Sequence, residues 1–432
     1  MTDGTVFVAT CDLAAQVRGR AAPAARLPQT LRGGVGWVPA NLALNCFGDL
    51  ADGHLFGSVG DLRLVPDADT AIDVPADGST PGLRLYLADQ TRLDGSRWPG
   101  CPRSALREAL DLLRDTAGLE IHASFEHEFT LQGGGEQHDG PPFSLQRARA
   151  AEPFGTDLVA LLEQTGLEPE TWLPEYGSGQ FEVTLRPAPG LVAADRAVLL
   201  RELVRDLARR RGHRATFAPI LDPASVGNGV HVHFSLRRAG GAPAMYDPQA
   251  PGRLSDLAAR FAAGILRHAP AVVAITAPSP ASAIRLTPHR WSAGGAFLAE
   301  RNREALLRIA PTVEIDGGDP AAQLHLEYRA ADATANPWLV LAVLVRAGLA
   351  GLAQDEPARV WPEASTEADL AGEPALPASL PEALAALEAD ETARTWFPRE
   401  LLHTFLTVRR SELDHVEGLA AADLCGKISD VY

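Results

Sequence analysis

Carboxylates and histidines fall on alternate residues in four short segments that lie far apart in the chain. The segments are residues 124–131, 180–185, 230–236 and 323–329, and each alternates apolar with polar side chains. Successive side chains of a β-strand point to opposite faces. The four polar faces therefore hold Glu126, Glu128 and Thr130; Gln180, Glu182 and Thr184; His231, His233 and Ser235; and Gln323, His325, Glu327 and Arg329. We predict that one sheet brings these faces together.

The residue types on these faces indicate a chemical role. Any one segment alone could be a half-exposed strand with a solvated polar face. A solvated face usually mixes Lys, Thr, Ser and Gln, whereas these positions are rich in Glu, His and Arg, which bind hard cations and phosphates. Taken together, the four segments predict a polar cavity with a two-metal site.

Composition limits the kind of partner. The chain has 432 residues, 46% of them hydrophobic and 22% charged, which is enough for a large core and two domains. Its net charge of −16 disfavours nucleic-acid and anionic-membrane partners, which need clustered positive charge. It shows no signal-peptide pattern and no apolar stretch of about 18 residues. We therefore expect a cytoplasmic protein that acts on small molecules.

Two residue types exclude other kinds of chemistry. The four cysteines show no CxxC spacing, which excludes a zinc-ribbon site and a thioredoxin-like redox motif. Lys427 is the only lysine, so the body of the chain has no P-loop or Schiff-base lysine. Any phosphate chemistry must therefore depend on arginine and metal ions.

The pattern of predicted elements changes near residue 100. Before it, strand-like runs at 5–9, 61–65 and 83–87 are separated by Gly, Pro and Asp. After it, helical periodicity alternates with the polar strands, which indicates an α+β fold. We predict a β-rich N-terminal domain at 1–98 and a catalytic domain at 99–432.

Four helices are predicted after residue 100. One covers 104–117, with Ser104 as N-cap and Gly118 as the stop. The others cover 193–211, 336–352, where Asn336 precedes a first-turn proline, and 380–417. The Ala/Pro/Glu-rich stretch at 357–377 is predicted to be a solvent loop.

The motifs resemble those of the glutamine synthetase family, in the family's order and over nearly the whole chain, including residues 61–67. FEHEF at 125–129 is similar to the family's ExEF, EYGSGQFE at 175–182 to ExGxGQxE, and GNGVHVHFSL at 227–236 to GSGMHxHxSL. RNREALLRI at 301–309, EYR at 327–329 and NPW at 336–338 are similar to three further motifs. The resemblance implies a β-grasp-like N-terminal module, a curved antiparallel catalytic sheet flanked by helices, and a homo-oligomer, commonly a dodecamer of two stacked hexamers.

The resemblance also implies how the metal ligands are divided. One divalent ion would take Glu128, Glu175 and Glu182, and the other would take Glu126, His231 and Glu327. Residues i and i+2 of a strand lie about 6.6 Å apart, so Glu126 and Glu128 suit different ions. Oxygen ligands with a single imidazole suit Mg²⁺ or Mn²⁺, two or more per site.

The family's reaction is ATP-dependent amide formation through an acyl phosphate, which needs metals and arginines to neutralise the transferred phosphate. By resemblance, Arg303 and Arg329 are the catalytic arginines. The resemblance further implies nucleotide binding by His233, Ser235, Arg308 and His325. It implies substrate binding by Arg285, Gly227 and Trp291.

The chain departs from the family pattern around the amine and amino-acid sites. Ammonia-using relatives carry a flap Glu three positions after the Pro of RLxP, where this chain has Trp291 after Pro288. Trp cannot accept a proton from ammonium, although its ring can stack on an organic amine. Val226 stands where the family has an Asn, and Ala281 and Ala283 stand where it has the Asn and the Tyr of NSYxR. His325 stands where it has the first Arg of RxExR.

These departures lead to one main hypothesis and three alternatives. The main hypothesis is γ-glutamylation of an organic amine such as a polyamine or ethanolamine. The alternatives are ammonia-dependent glutamine synthesis, a ligase with a different acyl donor, and a non-enzymatic member of the fold. Asp49 is a candidate amine contact from the N-terminal module.

Overall fold

The structure, a computed structural model, describes residues 4–78, 80–133 and 140–432. Its N-terminal part forms a mixed sheet in the order β2-β1-β6-β4-β3, with β5 also paired to β6. The central pair β1 and β6 is parallel, as in a β-grasp, and helix α1 (Leu27–Gly33) follows β2. The strands are β1 (Thr5–Cys11), β2 (Val17–Pro23), β3 (Val35–Trp37), β4 (Leu62–Pro66), β5 (Ile72–Val74) and β6 (Leu83–Thr91).

The second sheet has the order β16-β13-β14-β15-β12-β7-β9-β8, and β10 and β11 also pair with β7. Its pairs are antiparallel except at one edge, where β13 is parallel to both β14 and β16. Its strands are β7 (Leu119–Gly133), β8 (Pro169–Pro174), β9 (Gln180–Leu185), β10 (Ala188–Pro189), β11 (His213–Thr216), β12 (Val230–Arg238), β13 (Gly295–Glu300), β14 (Ala305–Ile309), β15 (Leu326–Tyr328) and β16 (Val360–Trp361). The expected gathering of the four polar strands in one sheet is confirmed, as is the α+β class.

Helices cover the apolar side of this sheet. The buried helix α10 packs against α2, α5, α6 and α7, and α5 packs on β7. No single described helix has the length and apolar character to cross a membrane, and α6 with α7 meets that test only as a pair bent by 76°. The helices after α1 are α2 (Pro102–Ala117), α3 (Leu145–Ala150), α4 (Phe154–Gln164), α5 (Gly190–Arg210), α6 (Asp256–Arg267), α7 (Ala269–Thr276), α8 (Ser282–Arg285), α9 (Pro320–Gln323), α10 (Pro337–Leu352), α11 (Glu367–Leu370), α12 (Leu380–Ala389), α13 (Arg399–His415) and α14 (Ala421–Ser429).

The predicted helix ends are partly correct. Gly118 ends α2 in a left-handed conformation, and Asn336 caps α10 through the amides of Trp338 and Leu339. The prediction of Ser104 as N-cap is wrong, because α2 begins at Pro102 and the Cys101 sulfur accepts the hydrogen bond from the Ser104 amide.

Three longer segments also differ from their predictions. Residues 380–417 form two helices, α12 and α13, rather than one. The predicted loop at 357–377 contains β16 and α11, and its Trp361 is buried beneath the guanidinium of Arg359. The predicted strand at 323–329 begins only at Leu326, because Gln323 ends α9 and its side chain bonds the backbone of Val313.

A buried arginine joins the N-terminal sheet to the catalytic helices. Arg103, which is 1% exposed, lies 2.9 Å from Asp67, 3.1 Å from Asp89 and 2.7 Å from Asp195 of α5. We call these four residues the Arg103 cluster. Asp67 also pairs with Arg107 at 2.6 Å, so two arginines offset two of the three aspartate charges.

Candidate active site

Strand register explains why residues distant in sequence meet on one face. Glu126 of β7 lies opposite His231 of β12, and Glu128 lies opposite Glu182 of β9. The backbone of Glu327 pairs with that of His233 on one side and with that of Arg308 on the other. Directly opposed residues of an antiparallel pair share a face, so the polar sides of five adjacent strands form one surface.

This surface forms the wall of a cavity of about 590 Å³, which we call the first cavity. All six predicted metal ligands line it, as do the predicted catalytic and substrate-binding residues. These are Glu126, Glu128, Glu175, Glu182, His231 and Glu327, with Arg303, Arg329, Arg285, Gly227 and Trp291. The structure therefore brings together residues that span two hundred positions of sequence.

Three of the ligands form a compact group. Glu126, His231 and Glu327 have ligand atoms that all lie within 4.8 Å of one another, a cluster that could hold a metal ion. Although burial opposes ionisation, hydrogen bonds from His231 and His233 lower the pKa of Glu126. Against the same opposition, the charge of Arg329 lowers the pKa of Glu327 to about 2. Both carboxylates are thus kept ionised, Glu126 by hydrogen bonds from two imidazoles and Glu327 by the charge of Arg329.

In the other three ligands, burial and like charge outweigh such compensation. Burial and the charge of Glu128 raise the pKa of Glu175 to about 7. Burial and the charges of Glu126, Glu128 and Glu175 also raise the pKa of Glu182. Burial raises the pKa of Glu128, although its Oε2 accepts the Gly229 amide at 2.6 Å. These carboxylates repel one another, and a cation between them would remove that repulsion.

The two groups together fit divalent cations. Five carboxylates and one imidazole form a donor set typical of Mg²⁺ or Mn²⁺ rather than of zinc, which favours sulfur and nitrogen. The unfavourable charge at Glu128, Glu175 and Glu182 is an independent sign that the site is built for added positive charge.

The arginines differ in how they are held. Arg329 is 1% exposed and donates to the Trp291 carbonyl at 2.7 Å, to the Arg303 carbonyl at 2.9 Å, and to Glu327. Arg308 donates to Glu327 at 2.6 Å. The guanidinium of Arg303 makes no hydrogen bond with the rest of the described chain and faces the first cavity from its exposed rim. Arg329 is thus fixed, whereas Arg303 is free to meet a ligand.

A second cavity of about 730 Å³ shares Glu126, Glu182 and His233 with the first. The predicted nucleotide residues His233, Ser235 and His325 line it, and the His325 and His233 rings meet through nitrogens 3.1 Å apart. Arg308 is placed in the first cavity instead. The two cavities therefore meet at the shared carboxylates.

Gly227 and Arg285 form part of the floor of the first cavity. A Cβ at Gly227 would lie 2.2 Å from the Pro219 carbonyl and 2.7 Å from the Arg285 side chain, so only glycine fits. Arg285 is 3% exposed, and its Nη2 donates to the Ala330 and Ala331 carbonyls at 2.7 and 2.8 Å. Its Nε is buried and has no hydrogen-bond partner in the described chain, so the guanidinium keeps donor capacity beside the cavity.

The rim contains residues that the sequence analysis did not single out. Tyr176 packs edge-on against Trp291 with ring centroids 5.0 Å apart, and both rings are about half exposed beside Phe143. The carboxylate of Glu304 binds the backbone that carries Trp291. Both residues lie inside quoted motifs, where Tyr176 follows the ligand Glu175 and Glu304 follows Arg303.

Two further residues position the ligand loops. Buried Arg147 donates to the Glu175 and Gly177 carbonyls. Gln180 donates to the Gly227 carbonyl at 2.9 Å and accepts the Gly177 amide at 2.8 Å. Asp49, in contrast, pairs with His415 at 3.1 Å and is not among the described residues that line either cavity.

Comparisons with known proteins agree with this geometry. The glutamine synthetase N-terminal domain matches residues 4–98 and the glutamine synthetase catalytic domain matches residues 99–422. A gamma-glutamylpolyamine synthetase of Streptomyces coelicolor is 34% identical over 96% of this chain and 90% of its own length. A glutamine synthetase of Methanocaldococcus jannaschii is 30% identical over 82% of this chain and 80% of its own. A solved structure described as a novel glutamine synthase homolog superimposes with a TM-score of 0.93 at 45% identity, covering 99% of this chain and 98% of that one. The chain belongs to the glutamine synthetase family of ATP-dependent carbon–nitrogen ligases.

Proposed function

We propose that this chain catalyses ATP-dependent γ-glutamylation of an organic amine, with a polyamine or ethanolamine as the expected type. The observation that carries the proposal is the aromatic rim: Trp291, at the position where the family resemblance places the acid of ammonia-using relatives, packs against Tyr176. The similarity to a protein named gamma-glutamylpolyamine synthetase supports the same substrate class.

Six residues would hold two or more Mg²⁺ or Mn²⁺ ions. Glu126, His231 and Glu327 would hold one, and Glu128, Glu175 and Glu182 would hold another. When bound, such ions neutralise charge on a phosphoryl group during its transfer.

The two cavities would separate the reactants. ATP would enter the second cavity beside His233, Ser235 and His325, while the acid would bind in the first, with one carboxylate on Arg285. An oxygen of the acid's other carboxylate attacks the γ-phosphorus of ATP. The bond from that phosphorus to the β–γ bridging oxygen breaks, and ADP leaves. Arg303 and Arg329 would hold the transferred phosphoryl group from the first cavity, because guanidinium donors match phosphate oxygens.

The amine would then react at the rim. Its nitrogen attacks the acyl carbon, the carbon–oxygen bond to phosphate breaks, and phosphate leaves together with one proton from nitrogen. The faces of Trp291, Tyr176 and Phe143 suit an alkylammonium group, because aromatic faces attract organic cations and pack on alkyl chains.

One observation favours a second candidate, a ligase whose acyl donor is not glutamate. Val226 lines the first cavity where the family pattern has Asn, and Ala281 and Ala283 replace two further polar residues. Fewer hydrogen-bonding groups would then be available for an α-amino acid. Ammonia-dependent glutamine synthesis is the remaining alternative.

These candidates can be tested by incubating the protein with ATP and a panel of acids and amines. Phosphate release and the mass of the product are measured for each pair. We expect glutamate with an organic amine to give a kcat/KM roughly a hundredfold above that of glutamate with ammonia. Equal turnover with ammonia would overturn the proposal. Amide formation with another acid but not with glutamate would establish the second candidate.

Matched variants at position 291 sharpen the test. Trp291→Phe keeps an aromatic face, and we expect it to keep most organic-amine activity. Trp291→Glu restores an acid at the flap, so the ratio of ammonia to organic-amine kcat/KM should rise roughly tenfold. An unchanged ratio in Trp291→Glu would exclude Trp291 from amine selection.

We also propose a ring-shaped homo-oligomer. Leu50, Leu55 and Val59 are exposed apolar side chains on the N-terminal module, and Val59 is 89% exposed. The family resemblance implies this assembly, and exposed apolar side chains are typical of subunit contacts where they form one patch. Mass photometry should give a mass near twelve copies of the 45.8 kDa chain, and a monomer would contradict the proposal.

A further inference from the structure

The flap, residues 287–292, has a backbone that requires outside support. His289 and Trp291 have φ angles of 66° and 52°, in the left-handed region. This conformation is uncommon for non-glycine residues and is an outlier for one as bulky as tryptophan. Such residues persist only where surrounding structure holds them.

The carboxylate of Glu304 holds these two residues. Its Oε2 accepts the His289 amide and its Oε1 accepts the Trp291 amide, each at 3.1 Å. One side chain therefore receives both amide hydrogens of the strained residues. Hydrogen bonds from N–H groups to an ionised acceptor are stronger than those between neutral groups.

Glu304 is itself anchored beside the reacting site. It lies in the turn before β14, between the predicted catalytic Arg303 and the strand that carries Arg308. Its amide donates to Asn302 at 2.9 Å, and its carbonyl accepts the Gly294 amide at 2.8 Å. The carboxylate thus projects from a fixed point toward the flap.

Gly294 limits where the carboxylate can lie. A Cβ at this position would be 2.8 Å from Glu304 Oε2, which is closer than carbon and oxygen tolerate. Glycine therefore leaves the space that the carboxylate occupies. A side chain there would move the carboxylate without removing it.

Other contacts fasten the flap to neighbouring parts of the site. The Trp291 carbonyl accepts from Arg329 at 2.7 Å, and Arg290 donates to the Pro223 and Ser225 carbonyls at 2.6 and 2.7 Å. These contacts tie the flap to a catalytic arginine and to the loop before Val226. Glu304 differs because it binds the flap's own amides.

We propose that Glu304 is a positioning residue that holds the flap over the amine site. It keeps the Trp291 ring at the rim and keeps water from the acyl phosphate. The flap is thereby made ready for an amine before the amine binds, which lowers the cost of binding. The amine part of this inference rests on the proposed function.

Water entry would have a defined product. Attack of water on the acyl phosphate gives back the starting acid and releases phosphate with a proton, so the net reaction is hydrolysis of ATP to ADP and phosphate. An open flap should therefore raise the phosphate released per amide formed, because lids of this kind protect reactive intermediates from water.

Hydrogen–deuterium exchange tests the Glu304 contact without turnover. In Glu304→Ala, the amides of His289 and Trp291 should exchange roughly tenfold faster or more. The Gly294 amide should stay unchanged, because it donates to the backbone carbonyl of residue 304. Glu304→Gln keeps one acceptor and should lie between Ala and the unmodified chain, and Gly294→Ala should also speed exchange. Unchanged exchange in Glu304→Ala would overturn the inference.

Kinetics test the consequence. We expect Glu304→Ala to raise the amine KM roughly tenfold, with the ATP KM within about twofold, and to raise the ratio of phosphate to amide. Glu367→Gln is the matched control, because the Glu367 side chain is 85% exposed and, within the described chain, pairs with the His289 ring at 3.5 Å. A general loss of folding would raise both KM values and change the urea transition, which would contradict a positioning role.

The two proposals fail in different ways. If no organic amine is a substrate, the proposed function fails, but hydrogen–deuterium exchange at His289 and Trp291 still tests the Glu304 contact. If organic amines are substrates and Glu304→Ala leaves both the amine KM and the phosphate-to-amide ratio unchanged, the positioning role alone fails.

Discussion

Two buried clusters of charge differ in how their charges are balanced. In the Arg103 cluster, aspartates surround one arginine that touches all of them. In the first cavity, Glu128, Glu175 and Glu182 face one another, and the described residues place no such cation between them.

Protonation equilibria reflect this difference at Asp67 but not at Asp195, whose pKa burial raises in spite of the contact with Arg103. Burial alone would raise the pKa of Asp67, but the hydrogen bond and the charge from Arg103 lower it below its ordinary value. Burial and neighbouring carboxylates instead raise the pKa of Glu175 to about 7 and raise that of Glu182. A cluster that serves only stability has its own counter-charges, whereas a cluster that binds cations lacks them.

Replacing a cavity carboxylate should give the largest effect. We expect Glu182→Gln to lower kcat/KM roughly a thousandfold or more, because a proposed metal ligand is lost. The folded pKa of Glu182 lies above its ordinary value of 4.5, so the metal-free chain loses stability as pH rises above that value. Glu182→Gln should therefore be about 1–3 kcal/mol more stable than the unmodified chain at pH 7 without metal.

Activity assays and urea unfolding with and without Mn²⁺ measure both effects. Glu120→Gln is the matched control, since Glu120 is an exposed carboxylate on the same strand β7. A Glu182→Gln variant that is less stable without metal would show that Glu182 serves the fold rather than cations.

Breaking the Arg103 cluster should affect stability first. Arg103→Met leaves the Asp195 carboxylate buried without its counter-charge, held only by the Trp338 indole among the described residues, and the free energy of unfolding should fall by about 3–5 kcal/mol. Arg84→Met, which removes the exposed pair with Asp73, should cost about 0–1 kcal/mol. Urea titration gives both values. Equal losses in the free energy of unfolding would mean that burial of the Arg103 cluster adds nothing to stability.

Acid should reveal the smallest effect. The folded pKa of Asp67 lies below its ordinary value of 3.8, so its contribution is complete above that pH and is lost as pH falls through the folded value. Asp67→Asn should therefore lose less stability than the unmodified chain between pH 5 and 3, by under about 1 kcal/mol. Urea midpoints across this range measure it, and parallel curves would contradict it.

Alternation of residue types was enough to predict which strand side chains meet in the first cavity, whereas their roles came from the family resemblance. Glu126 and Glu128 share a face because side chains repeat every two residues, and buried Phe125 and Phe129 fix which face is inside. The resemblance added Glu175, which lies outside a strand and follows no periodic pattern. Its placement depends on Arg147 and Gln180, which bind the loop backbone.

Turns and loops limited the prediction elsewhere. Gln323 was assigned to a strand, although Asp319 and Pro320 form a helix start, with Asp319 capping the Ala321 amide. The role of Glu304 could not be predicted, because it depends on left-handed backbone at His289 and Trp291 that no residue type there suggests. Contacts of this kind become visible only in three dimensions.

Crystals soaked in Mn²⁺ with ADP test the central claim most directly. Anomalous difference maps should show one peak among Glu126, His231 and Glu327 and another among Glu128, Glu175 and Glu182. The second peak should be lost in Glu182→Gln, while the first remains. Maps with no peak in the first cavity, or with peaks only outside it, would contradict the account.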